Sequence, residues 1–101
     1  MKMKISMLGA GSGFVMSVAK ELIAHEIFNG CEFVLQDVNP ERLQAAENVV
    51  SGVLKSYKNI KVSLKATTSR KTALDGCDYV ITSCEMNRFL ESVKEFVKKV
   101  N

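Results

Sequence analysis

Glycine recurs at alternate positions in Gly9-Ala10-Gly11-Ser12-Gly13, and Phe14 follows. The cluster ends an apolar run, Ile5 to Leu8, and opens a segment whose apolar residues recur at helical spacing. Strand, glycine turn and helix in that order can form a phosphate site. A tight turn needs a residue tolerant of positive φ, which Gly9 or Gly11 supplies. A second glycine lets the backbone approach a pyrophosphate, and the unpaired N–H groups of the helix start then face the anion. The usual dinucleotide fingerprint has its third glycine where this chain has Phe14. The helix must therefore stand off further from the strand, or Phe14 must turn away. Glycine turns also make plain strand-to-helix connections, and the pattern alone does not separate the two uses.

Asp37 closes a second apolar run, Cys31 to Gln36. An acid at that place can accept hydrogen bonds from both adenosine ribose hydroxyls, and it repels a 2′-phosphate. The alternative is a turn residue, since Asp-Val-Asn-Pro is a good approach to any helix. Arg42, one turn later, either offers charge to a phosphate and weakens that selectivity, or is simply solvated. Other reactive side chains are sparse. Cys31, Cys77 and Cys84 are odd in number and form no C-x-x-C pair, which predicts three buried, reduced thiols. His25 is the only histidine and reads as a surface or rim residue. Tyr57 and Tyr79 fall in helix and strand patterns and read as core. No convergent metal-ligand set can be assembled from these residues.

The elements that must position these groups alternate strictly. Residues 3–8 read as a strand, and Val15, Val18, Ala19, Leu22 and Ile23 mark a helix over about 13–28. Asn29-Gly30 ends it. After the strand of residues 31–36, Asn39 can cap a helix with Pro40 in its first turn. Leu43, Ala46, Val50, Val53, Leu54 and Tyr57 carry that helix's buried face, with Gly52 a weakness inside it. Ile60, Val62 and Leu64 alternate as a third strand over 60–65. Ser69 caps a short helix over 70–75, which Gly76 stops. Tyr79 to Thr82 is a fourth strand whose continuous apolar run predicts cover on both faces, and a last helix follows over about 89–100.

Such alternation implies an α/β fold, a three-layer αβα half of a doubly wound domain with a parallel sheet in the order 3-2-1-4. Ligand then sits at the carboxyl edge, where Gly9–Phe14, Asp37, Thr67-Thr68 and Ser83–Arg88 all fall. A chain of 101 residues makes one small domain. Its net charge of +3 is scattered, with no basic stripe interleaved with aromatics, which argues against nucleic acid. No apolar run approaches the ~20 residues of a membrane span, nor does the start of the sequence read as a signal peptide. A cytoplasmic protein is expected.

Four stretches carry a family resemblance: Lys4-Ile-Ser-Met-Leu-Gly-Ala-Gly-Ser12, Leu35-Gln-Asp-Val-Asn-Pro-Glu-Arg-Leu43, Ala66-Thr-Thr68 and Ala73-Leu-Asp-Gly-Cys-Asp-Tyr-Val-Ile81. Together they resemble the amino-terminal, Rossmann-like domain of glycoside hydrolase family 4. These are the NAD- and manganese-dependent α-glucosidases, α-galactosidases, α-galacturonidases and 6-phospho-glycosidases. The resemblance implies oxidation of a sugar at C3 by bound NAD, elimination of the glycosidic oxygen, water addition and re-reduction, outside the usual two-carboxylate scheme. It implies cofactor contacts at Gly9, Gly11, Ser12, Gly13, Phe14 and Asp37, with Thr67 and Ser83 beside the adenosine and nicotinamide. Arg88 is the one substrate-binding candidate. The family's Mn²⁺ ligands and its tyrosine base lie beyond residue 101, and Cys84 is not one of them.

The expectation is thus a cofactor-binding fragment of a family 4 glycosidase, catalytically incomplete by itself, with a sugar or sugar phosphate bound through the missing domain. Two alternatives stay open: a stand-alone nucleotide-sensing module, and an S-adenosylmethionine-dependent methyltransferase fragment. The latter usually carries an acid just before its first glycine, where Met7 and Leu8 stand here. Strand 4, with no proline or central lysine, should become an unguarded sheet edge and join two copies into a homodimer.

Overall fold

A computed structural model describes residues 3–11, 14–82, 94–96 and 98–99. The elements run β1 (Lys4–Leu8), α1 (Val15–Ala24), β2 (Glu32–Gln36), α2 (Pro40–Lys55), β3 (Ser63–Thr67), α3 (Arg70–Leu74) and β4 (Tyr79–Thr82). All strand pairs are parallel and the order is β3-β2-β1-β4, as the alternation predicts. Adjacent residues of a strand point to opposite faces, and that sorts the layers. Ile5, Met7, Phe33, Leu35 and Ile81 share one face with the buried stripes of α1 and α2. On the other face the Ser6 hydroxyl donates to the Ala73 carbonyl, and the Lys4 ammonium donates to the Thr72 and Asp75 carbonyls at the end of α3. Helices therefore lie on both faces of the sheet.

The first face carries most of the hydrophobic stabilisation. Ile5, Met7, Leu22, Phe33 and Leu35 are fully buried, and burial of each such side chain contributes about 1.5–3 kcal/mol. Local turn chemistry fixes where the helices begin. The Asn39 side chain accepts from the N–H groups of Glu41 and Arg42, with Pro40 in the first turn of α2. Ser69 accepts from the Thr72 N–H and caps α3. Gly76 takes the positive φ, +69°, that its predicted helix stop requires, whereas Gly30, at +87°, follows a 3-10 turn and does not end the first helix.

Several expectations are corrected. The first helix ends at Ala24, and His25 is extended before a single 3-10 turn over Glu26–Phe28. Turning there carries Phe28 into the core with its ring edge-on to His25. β3 begins three residues later than the alternation suggests, because pairing starts where Ser63 meets Glu32. Ile60 is buried but precedes the strand. Tyr57 lies past the end of α2 and is 42% exposed, and Tyr79 is 36% exposed, so neither is core. β4 is not covered on both faces: Val80 is 40% exposed, and only Ile81 is buried. Cys31 is buried and free, whereas Cys77 is only partly buried; Cys84 lies outside the described residues. Of the last predicted helix, residues 94–96 and 98–99 are helical, and Phe96 packs against the core. No helix among the described residues is long and apolar enough to cross a membrane.

Candidate functional site

The glycine turn leaves the carboxyl end of β1 and crosses the end of β2. Gly9 supplies the positive φ, +70°. The Ala10 N–H then donates to the Gln36 carbonyl at 2.9 Å, which ties the turn to β2. One residue on, the Gly11 N–H donates to Asp37 Oδ2 at 2.9 Å. The other carboxylate oxygen, Oδ1, accepts from the Asn39 N–H at 3.0 Å. Asp37 is thus a bridge between the turn and the start of α2, and only 6% of it is exposed. The Asn39 N–H holds its carboxyl below the usual carboxylate range; burial pushes the other way, and the Gly11 N–H and the Arg42 charge add to the lowering. The acid is therefore ionised at neutral pH. Each oxygen spends one acceptor site on the protein and keeps capacity for a ligand hydroxyl.

Gly11 is required by close approach rather than by backbone conformation. A Cβ there would lie 2.7 Å from Asp37 Oδ2, 2.8 Å from Arg42 Cβ and 2.9 Å from Arg42 Nε. The stem of Arg42 therefore lies across the turn. A hollow of about 290 Å³ beside it is lined from both helices and the turn, by Ala10, Gly11, Val15, Met16, Arg42 and Ala46 among others. Phe14 has turned away, 45% exposed at the N-cap of α1, which resolves the problem of the absent third glycine. Among the described residues α1 has no side-chain cap and no acid in its first turn, unlike α2 with Asn39 and Glu41. N–H groups at the start of such a helix suit an anion. A larger hollow, about 680 Å³, opens at the far end of α2 between Leu54, Tyr57, Ile60 and Leu64, remote from the turn.

The structure brings Gly11 and Asp37 together, with Gly9 turning the chain toward them; Phe14 stands apart, exposed at the start of α1. Thr67 ends β3 in register with Gln36, and its Oγ1 accepts from the Ser69 N–H at 3.0 Å, which gives it a turn-forming duty. Gln36 Nε2 donates to the Thr68 carbonyl at 3.1 Å and closes the floor between β2 and β3. Ser12, Gly13, Ser83 and Arg88 lie outside the described residues. The Asn39 N–H bond gives Asp37 the turn duty that Asp-Val-Asn-Pro offered as the alternative reading, alongside its bond to Gly11. His25 is remote from the turn and pairs with Glu21 at 2.9 Å. Burial pushes the Cys31 thiol up to about 11, so it is a packing residue. Among the described residues no three His, Cys, Asp or Glu side chains converge to hold a metal.

Comparison with known proteins agrees with this fold. A family model described as family 4 glycosyl hydrolase matches residues 4–99. An alpha-galactosidase of Bacillus subtilis (strain 168) is 33% identical over 90 residues, covering 88% of this chain and 21% of that protein. An alpha-glucosidase of Erwinia rhapontici is 33% identical over 87 residues, covering 85% of this chain and 19% of its own length. This chain therefore spans about a fifth of the length of the curated relatives it matches. Among solved structures, a 6-phospho-alpha-glucosidase from gut microorganisms, in complex with NAD and glucose-6-phosphate, superposes with a TM-score of 0.73. That match is at 28% identity and covers 81% of this chain and 19% of that one. A second 6-phospho-alpha-glucosidase from gut microorganisms, at 19% identity and a TM-score of 0.70, shares the fold.

Proposed function

The chain belongs to family 4 of the glycosyl hydrolases, and from that premise we propose that residues 1–101 are the NAD-binding part of such a glycosidase. The observation that carries the reading is the Gly11–Asp37 contact, which sets an ionised acid against a glycine turn at the foot of an uncapped helix. The uncapped N–H groups of α1 suit a pyrophosphate. Asp37 receives the adenosine ribose through the acceptor sites its two backbone bonds leave over. Bound NAD would supply a hydride acceptor for a sugar carbon. Metal ligands and general base belong, on this reading, to parts of the family fold that residues 1–101 do not include. Substrate is a sugar or sugar phosphate, handled in the cytoplasm. Ser12, Gly13, Thr67, Ser83 and Arg88 remain part of the proposed site. So does a homodimer through β4, supported by its exposed Tyr79 and Val80.

Calorimetric titration with NAD, NADP and S-adenosylmethionine tests the reading. NAD should bind, and Asp37→Ala should weaken it by about 1.5–3 kcal/mol through lost charge-assisted hydrogen bonds. Binding of S-adenosylmethionine in preference to NAD would overturn it, and so would NAD affinity indifferent to Asp37.

A further inference from the structure

Resting on the dinucleotide reading, we propose that Arg42 is the residue that receives a phosphate on the adenosine ribose 2′-oxygen, so that the chain takes NADP as well as NAD. Three observations meet at this side chain. Its stem is packed on the turn, with Cβ and Nε both within 3 Å of the place a Gly11 Cβ would take. Its guanidinium lies at the turn without a structural duty there: Arg42 is exposed, and among the described residues its side chain makes no ion pair or hydrogen bond. And it stands beside the acid that handles the ribose, close enough to favour the ionised form of Asp37.

An unscreened carboxylate at the end of β2 repels a 2′-phosphate, which is the usual basis of NAD selectivity. Here that charge is partly compensated by the Gly11 and Asn39 N–H groups and by Arg42 itself. The site also lies at the amino end of α2, a helix of 16 residues, whose dipole favours an anion there. Glu41, exposed in the same turn, opposes it but is solvated and screened. A guanidinium fork can then pair with phosphate oxygens in two parallel bonds. With NAD the same fork stays in water, so Arg42 separates the two cofactors without being needed for the first. NAD remains the better ligand, because Asp37 is still present.

The test uses ADP-ribose and its 2′-phosphate, which probe the adenosine half and need no nicotinamide pocket. Calorimetry on the unaltered chain, Arg42→Gln and Arg42→Lys should show the 2′-phosphorylated ligand weakened about tenfold to a hundredfold by Gln. Lysine should restore part of that loss, as a point charge in place of a fork. ADP-ribose itself should change by less than about threefold. Equal losses for both ligands would mean that Arg42 only holds α2 against the turn, and no loss for either would make it a solvated residue; each result overturns the inference. If the unaltered chain binds ADP-ribose and rejects its 2′-phosphate, this inference falls alone. If it binds neither, the dinucleotide reading falls and takes the inference with it.

Discussion

An alanine at position 11 would set its Cβ 2.7 Å from Asp37 Oδ2 and 2.8 Å from Arg42 Cβ. Real side chains do not sit so close, and neither neighbour yields cheaply. Asp37 is anchored by the Asn39 N–H, and a Cβ moves only with its backbone, so the first turn of α2 must shift from the glycine turn. Overpacking of this kind costs about 1–3 kcal/mol. As the two segments part, the Gly11 N–H bond to a buried carboxylate stretches, and its complete loss would cost about 1.5–3 kcal/mol. These effects overlap, and a total near 3 kcal/mol is expected. At roughly 4–8 °C per kcal/mol for a domain of this size, Tm should fall by about 12–24 °C. Gly52→Ala is the matched control: nothing lies within 4 Å of a Cβ there, inside α2. Removing a helix-interior glycine should stabilise by about 0.5–1 kcal/mol. Thermal and urea unfolding followed by far-ultraviolet circular dichroism reads both variants. A Gly11→Ala chain melting within about 0.5 kcal/mol of the parent would refute the contact geometry.

Asp37 should make stability depend on acid. Its folded pKa is lowered, so its contribution is complete above the ordinary carboxylate value near 3.8 and disappears as pH falls through the folded one. Urea midpoints of the parent and Asp37→Asn should therefore differ at neutral pH and converge in acid; a constant gap would contradict this. Cys31, buried with its thiol pushed up to about 11, should resist alkylation in the native protein while the partly buried Cys77 reacts. Peptide mapping by mass spectrometry checks the order, and faster labelling of Cys31 would be the adverse result. If β4 joins two copies, light scattering after size exclusion should find a dimer that Val80→Lys disperses, by placing like charges across the new strand pair. A monomer at every concentration would end the proposal.

Much of the fold could be read from local chemistry. Asn39-Pro40, Ser69 and Gly76 mark helix ends through donors, rings and backbone freedom that neighbouring residues alone determine. Strand order followed from alternation and the handedness of crossovers. What failed depended on neighbours distant in sequence. Ile60, Val62 and Leu64 alternate like a strand, yet pairing begins only at Ser63, because the position of Glu32 in β2 sets the register. Tyr57 and Tyr79 fit apolar patterns but sit at the margins of the sheet and α2, where nothing described covers them. In the site, the glycine pattern and Asp37 were visible. The division of labour was not: Gly9 turns the chain, while Gly11 makes room for Asp37 and Arg42.

The strand order also has a consequence during synthesis. β1 is central, with Leu8 paired to Gln36 on one side and to Thr82 on the other. Its first partner is translated soon after it; the second comes more than forty residues later, a delay of roughly 2–9 s at ordinary elongation rates. Through that interval a nascent chain emerging from the ribosome carries an apolar strand, Ile5 and Met7 included, with one hydrogen-bonding edge open. The Lys4 and Ser6 bonds to α3 also wait for residues 72–75. Rare codons between β2 and β4 would lengthen this exposure, and the yield of soluble chain should fall with them.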